Sequence, residues 1–383
     1  MKQKNRQVFS DLFMKIALVH DYIKEFGGAE RVLKTLSDMY PEAPIYTAFS
    51  VKDSTAEKEF KGKNIVESKL APILKIWRLY SPLRFLTPLI WGSFDLSKYD
   101  LVITSCSWYI TRGFKVGQNT KVIAYCHTPP RWLYGYETSV GFTKYWPVKI
   151  YAKIVGYFMR KYDYKTAQKI NYWIANSKNV AGRIKKYYGK DSTVIYPPIE
   201  VEKIKKATKD LKQEDYLIVV SRLVGAKGLE ETAKVMKSLG INLKIVGESH
   251  GFADVEERLK KLSGGNIELT GRISDEKMYE LLGKAKGFIA LARDEDFGMT
   301  LVEAQAAGIP ILAYNGGGYK ESVIEGKTGI FVDSTSEKDL EIGVKKLLST
   351  KWNKEEIVRN AEKFSKERFG KKLSECVDRI IED

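Results

Sequence analysis

Two cations and two carboxylates in the second half of this 383-residue sequence stand at spacings that suit a phosphorylated sugar. Ser221-Arg222-Leu223-Val224-Gly225-Ala226-Lys227-Gly228 follows an apolar run and leads into a helical pattern. Arg222 offers a planar fork of donors and Lys227 a point charge, a combination able to clamp a pyrophosphate. The plainer alternative is a pair of solvated surface charges. Further on, Glu295-Asp296-Phe297-Gly298-Met299-Thr300-Leu301-Val302-Glu303 sets two carboxylates seven residues apart, across a loop and the start of a helix. Carboxylates accept hydrogen bonds from vicinal hydroxyls, as on a ribose or a hexose. Backbone N–H groups from Gly298 through Met299, Thr300 and Leu301 are placed to hold phosphate oxygens at a helix N-terminus. In the first half, His20-Asp21-Tyr22 runs into Phe26-Gly27-Gly28-Ala29-Glu30-Arg31. Gly27 and Gly28 either let the backbone approach a phosphate or make a tight turn that binds nothing.

These residues must be positioned by something, and the flanking sequence says what. Short runs rich in Val and Ile alternate with helix-length patterns along nearly the whole chain. The expected strands are Lys15–His20, Ile45–Phe49, Leu101–Thr104, Val122–Tyr125 and Tyr172–Ala175. A second series follows at Tyr216–Val220, Leu243–Val246, Ile267–Leu269, Gly287–Ala290, Ile309–Ala313 and Gly329–Val332. Helices are expected at Ala29–Met39, Gly228–Leu239 and Val255–Leu262, among others. Strands alternating with helices mean an α/β protein with parallel sheets covered on both faces. The pattern restarts after Tyr196-Pro197-Pro198, where the prolines forbid a continuing helix. The expectation is two Rossmann-like doubly wound domains, 14–198 and 199–366, after a polar extension over 1–13 and before a helix over 367–383. Ligands of such sheets bind at the carboxyl ends of strands. Every motif above falls there.

Together Arg222…Lys227, the Glu295–x7–Glu303 spacing and the Gly27-Gly28 loop resemble the large GT4-type retaining glycosyltransferases of GT-B fold. The resemblance covers residues 14 to roughly 365 and implies two domains facing each other across a cleft. It further implies that Arg222 and Lys227 bind the donor diphosphate, Glu303 the ribose and Glu295 the 3- and 4-hydroxyls of the donor sugar. The backbone around Gly271-Arg272-Ile273 would meet the nucleobase. The chain has three histidines. His127, in Tyr125-Cys126-His127-Thr128-Pro129-Pro130-Arg131-Trp132, corresponds to a histidine that contacts the donor sugar near the reacting centre. His20 and Arg131 are candidates for acceptor or sugar contact. The His-Thr-Pro-x-Arg form is similar to the WbaZ-like bacterial mannosyltransferases, which points to GDP-mannose ahead of a UDP-sugar. The nucleotide sugar is a substrate; no cofactor is expected. Asp294-Glu295-Asp296 imitates an Asp-x-Asp metal motif, but Arg222, Lys227 and helix N-termini already supply positive charge, so no metal is expected. A catalytically silent sugar-nucleotide binder is the remaining alternative.

Charge adds a partner. The net charge is +16, and residues 1–198 hold 32 Lys and Arg against 15 Asp and Glu, while 199–383 hold 32 against 33. The first half therefore carries the whole excess. Within it, residues 70–94 interleave Trp77, Tyr80, Phe85 and Trp91 with Lys75, Arg78 and Arg84. Residues 144–190 hold twelve basic residues and one acid, Asp163. Aromatics and cations without acids suit an anionic membrane interface, although a core helix pair with a lysine-coated face explains them too. Nucleic acid is disfavoured, because Glu295 and Glu303 would face a polyanion and no nucleic-acid motif is present. A lipid-linked saccharide acceptor and a peripheral position on the inner face of the cytoplasmic membrane are expected. Cys106, Cys126 and Cys376 are far apart with no CxxC pair, which fits a reducing cytoplasm. No apolar run is long enough to span a bilayer.

Overall fold

A computed structural model describes residues 14–76, 80–136, 146–249 and 254–382. They divide into two compact units, one of 14–136 with 146–195 and 370–382, the other of 196–369. Each unit is built on one parallel sheet.

The first sheet has seven strands: β1 (Ile16–His20), β2 (Ile45–Thr47), β3 (Ile65–Glu67), β4 (Leu101–Cys106), β5 (Lys121–Cys126), β6 (Tyr172–Ala175) and β7 (Thr193–Val194). Its order is β3-β2-β1-β4-β5-β6-β7. The second has six: β8 (Leu217–Val220), β9 (Leu243–Val246), β10 (Ile267–Gly271), β11 (Gly287–Ala290), β12 (Ile311–Tyr314) and β13 (Gly329–Val332), in the order β10-β9-β8-β11-β12-β13. β1, β4, β8 and β11 are buried at every position, as strands covered by helices on both faces must be. β3 and β7 lie at sheet edges and are three and two residues long. They were not expected, because so short an edge strand leaves no apolar run to see.

Both orders reverse direction once, between β1 and β4 and between β8 and β11. Connections leave the sheet in opposite senses there and open a crevice at the carboxyl ends of the two central strands. His20 ends β1 and the Arg222–Lys227 loop follows β8. The Glu295 loop follows β11. The motifs therefore stand at the two switch points.

The helix Trp146–Ala167 shows how its basic composition is distributed. Its one acid, Asp163, is fully buried and hydrogen-bonded to Arg112 and to the Tyr134 hydroxyl at 2.6 Å. Its lysines and arginine, including Lys149, Lys153, Arg160 and Lys161, lie on the exposed side with Trp146, Ile150, Ile154 and Phe158. Segment 70–94 behaves differently. Trp91 is buried and donates its indole N–H to Tyr109 O at 2.7 Å. Arg84 is held between the rings of Trp108 and Trp132, with centroid distances of 4.8 and 4.7 Å. Among its described residues, Ile73, Ile76, Phe85 and Leu89 are the large apolar groups that point outward. Trp77 and Arg78 lie outside the described residues. Much of the interleaving in this segment is therefore interior packing.

Candidate functional site

In the second unit, Gly228 takes a left-handed φ of +66° at the end of the Arg222 loop, where a Cβ would lie 2.8 Å from Leu291. This close approach brings the loop after β8 against the end of β11. Lys227 Nζ donates to Glu295 Oε2 at 2.5 Å, with both side chains about one-fifth exposed. The two motifs, 68 residues apart, thus meet as one charged pair. The contact uses one of the three ammonium donors of Lys227. Arg222 is exposed and makes no side-chain hydrogen bond or ion pair among the described residues. Lys227, Ser221, Thr300 and Tyr319 line a small hollow floored by the ends of β8 and β11.

The helix Met299–Ala306 begins at Gly298, whose φ of +90° turns the chain sharply out of the loop. No side chain caps this end, so its first N–H groups remain donors, and the helix dipole adds to them. Phe297 anchors the loop from beneath, buried against Tyr196 and Phe364. Gln305 fixes the helix at its other end through Ser322 O and Asn360. Glu303 is 4% exposed on the buried face of the helix.

Sequence reasoning missed the support for Glu295. Asn315-Gly316-Gly317-Gly318-Tyr319 packs directly on the motif loop, and Gly318 N donates to Glu295 O at 2.9 Å. A Cβ on Gly317 would lie 2.4 Å from Glu295 O. The Tyr319 hydroxyl lies 3.5 Å from Glu295 Oε2. Burial and the neighbouring carboxylate hold that phenol protonated, well above its ordinary range. Three consecutive glycines were the visible signal. Arg272 follows β10 and pairs with Glu248, which follows β9, at 3.1 Å.

In the first unit, registers decide what meets. His20 lies beside Ser105, and Ser105 beside Tyr125, two residues before His127. Ser105 Oγ is 3.0 Å from His20 Nδ1 and 2.8 Å from His127 Nε2. His20 Nε2 is 3.5 Å from Glu30 Oε1, while Glu30 Oε2 accepts from Gly27 N at 3.0 Å. His20 was expected as a sugar or acceptor contact. It is 1% exposed, and both ring nitrogens face protein groups. The Gly27 amide is likewise engaged by Glu30, so the loop is in part a helix cap. Burial lowers the His127 pKa from 6.5 to about 3, so the ring is neutral at ordinary pH. Arg131 is partly buried at the start of the turn Arg131–Leu133. Asp21 accepts from Ser107 N, Ser107 Oγ and Trp108 N, and burial raises its pKa.

Residues 200–364 match the model of the glycosyl transferases group 1, and residues 26–203 that of glycosyltransferase family 4. The chain is a group 1, family 4 glycosyltransferase. Two uncharacterized glycosyltransferases of Methanocaldococcus jannaschii are similar to this transferase. One is 27% identical over 92% of this chain and 94% of its own length. The other is 25% identical over 60% of this chain and 64% of its length. A Dictyostelium discoideum GDP-Man:Man(3)GlcNAc(2)-PP-Dol alpha-1,2-mannosyltransferase is 27% identical over 39% of this chain and 34% of its own. Anabaena HepE, solved in complex with UDP and glucose, superposes with a TM-score of 0.67 at 17% identity, over 95% of this chain and 99% of that one. The fold of this transferase is GT-B.

Proposed function

We propose that this transferase moves a hexose with retention of configuration, with mannose from GDP-mannose as the first choice, onto a lipid-linked glycan in cell-surface polysaccharide synthesis. The observation that carries the reading is the Lys227–Glu295 pair at the switch point of the second sheet, beside an uncapped helix start. Breaking the anomeric bond builds positive charge on the sugar and negative charge on the leaving diphosphate. Lys227, Arg222 and the N–H groups of Met299 to Leu301 are assigned to that diphosphate, lowering the barrier by preorganised charge. Glu295, steadied by Tyr319 and Gly318, is assigned to the sugar hydroxyls, and Glu303 to the ribose. His127 is assigned to the donor sugar, Arg131 to the sugar or acceptor, and Arg272 to the nucleobase. No carboxylate is assigned as a nucleophile. Attack on the same face as the departing phosphate accounts for retention, and no metal is required.

The mannosyl donor is supported by the His127-Thr128-Pro129-x-Arg131 form and by the Dictyostelium relative, whose name specifies GDP-Man. A UDP-sugar is the second reading, favoured by HepE, which was solved with UDP and glucose. Thermal shift with GDP-mannose, UDP-glucose, UDP-N-acetylglucosamine and UDP-galactose in EDTA separates them. A donor at a hundred times its Kd stabilises by about 2.7 kcal/mol, a visible rise in Tm. A rise with UDP-glucose alone would transfer the proposal to that donor, and a requirement for Mg²⁺ would overturn the metal-free mechanism.

The acceptor reading rests on the first unit. Among the described residues no helix is long and apolar enough to cross a membrane. The helix Trp146–Ala167 instead exposes Trp146, Ile150, Ile154, Tyr157 and Phe158 among its lysines. A surface of this kind lies on an anionic bilayer with its rings in the headgroup layer, where a lipid-linked acceptor is presented.

A further inference from the structure

A line of four side chains crosses the carboxyl edge of the first sheet, and the reaction outlined above gives three of them no role. Glu30 lies on the helix Gly28–Met39, His20 ends β1, Ser105 stands in β4 and His127 follows β5. The contacts are Glu30 Oε1 to His20 Nε2 at 3.5 Å, His20 Nδ1 to Ser105 Oγ at 3.0 Å, and Ser105 Oγ to His127 Nε2 at 2.8 Å. Ser105 is 1% exposed and His20 equally buried, so solvent does not compete for these bonds. His127 Nδ1 makes no hydrogen bond among the described residues.

Proton accounting gives this line a direction. With His20 singly protonated, its proton sits on Nε2 toward the Glu30 carboxylate, which as an ion only accepts. His20 Nδ1 is then a lone pair and takes the Ser105 hydroxyl hydrogen. The serine oxygen in turn accepts from His127 Nε2. Burial keeps His127 neutral, so the ring carries one proton, and that proton is on Nε2. Nδ1 is left as a bare acceptor.

We infer that Glu30, His20 and Ser105 are positioning residues that lock His127 in its Nε2–H tautomer, so that Nδ1 accepts a hydrogen bond from a substrate hydroxyl. The hydroxyl belongs to the donor sugar or the attacking acceptor, and it must arrive as a donor. A neutral ring with so weak a base orients that hydroxyl and leaves its proton in place. In the opposite tautomer an N–H would meet the hydroxyl, and the hydroxyl hydrogen would have to turn elsewhere. The inference rests on the assignment of His127 to the substrate, but the tautomer can be read without turnover.

The chain's three histidines make this a tractable measurement. Histidine-selective ¹⁵N labelling of the full chain, with His250→Gln to remove the third signal, reports which nitrogen of each ring is protonated. His127 is expected protonated at Nε2 and His20 at Nε2, and Ser105→Ala should convert His127 to a mixture of tautomers. Turnover of Ser105→Ala should fall roughly ten- to a hundredfold in kcat, the scale of a mispositioned contact, with donor KM little changed and Ser105→Thr recovering most of the loss. A wild-type His127 protonated at Nδ1 overturns the inference, even if no variant folds. So does a Ser105→Ala protein with unchanged kcat. Full activity of His127→Ala would instead remove the histidine from the substrate, whatever its tautomer.

Discussion

At the scale of single residues, the charged pair and the neutral histidine make separate demands. Lys227 and Glu295 each satisfy the other at 2.5 Å, and each is assigned a share of the donor. Lys227→Ala should lower kcat by about 10²–10³, the loss usual for one preorganised donor at a developing charge, with the fold intact because the pair is partly solvated. An unchanged kcat would remove Lys227 from the diphosphate. His127 carries a pH signature. Its pKa falls from 6.5 to about 3 on folding, so between those values the unfolded chain holds the extra proton. Stability from this group is complete above pH 6.5 and is lost as the pH falls toward 3. His127→Gln should therefore flatten the decline in urea stability over that window relative to the parent. Equal slopes would mean that the ring titrates normally. Glu295, Glu303, Arg222 and Lys227 stood out in the sequence as candidates through their types and spacing. Ser105 was not, since a serine within an apolar run announces nothing until its neighbours across the sheet are known.

At the scale of elements, two features are decided by packing. The Gly316–Gly318 turn supports the Glu295 loop at backbone distance, and Gly317 has a φ of +55°. Gly317→Ala combines strain of about 1–3 kcal/mol with a clash against Glu295 O. It should lower both stability and kcat, checked by chemical denaturation and donor titration of the same sample; wild-type values for both would show that the loop is held by other contacts. The helix Trp146–Ala167 is pinned by Asp163 to Arg112, both buried. Asp163→Ala strands a buried guanidinium and should cost about 3–5 kcal/mol, whereas an apolar pair replacing both groups should recover most of that. If the single variant lost less than 1 kcal/mol, Arg112 would have to be finding another partner. The strand pattern forecast most of β1 to β13 to within two residues, because strands buried on both faces need continuous apolar runs. It failed at β3 and β7, where pairing at a sheet edge stabilises segments too short to carry a pattern.

At the scale of the whole molecule, charge is divided between the halves of the chain. The first carries 17 more cations than anions and the second one fewer. Vesicles containing phosphatidylserine should retain the protein at low ionic strength and release it as salt screens the lysines, with a Debye length of roughly 10 Å at 0.1 M. Trp146→Ser with Phe158→Ser should weaken retention at every salt concentration, since rings contribute by burial rather than by charge. Absence of binding to anionic vesicles at low salt would return the exposed lysines to an ordinary solvated face. The residues from Gly370 onward belong with the first unit although the helix Lys366–Glu382 starts in the second.

The sequence alone determined the alternation of strands and helices, the break near Tyr196, the Arg222–Lys227 and Glu295–Glu303 spacings and the uneven charge. Each is written in local residue order, as periodicity, turn chemistry or spacing. Only the tertiary structure decided the strand orders and registers. Those orders put β1 beside β4 and β8 beside β11, creating the two switch points. Those registers set His20 against Ser105, and Ser105 against the strand that ends at His127. Pairing of parallel strands joins segments separated by a whole crossover, here 85 residues between His20 and Ser105. No local pattern encodes which of several equally apolar strands will be the neighbour, so the line from Glu30 to His127 existed only once the sheet had formed.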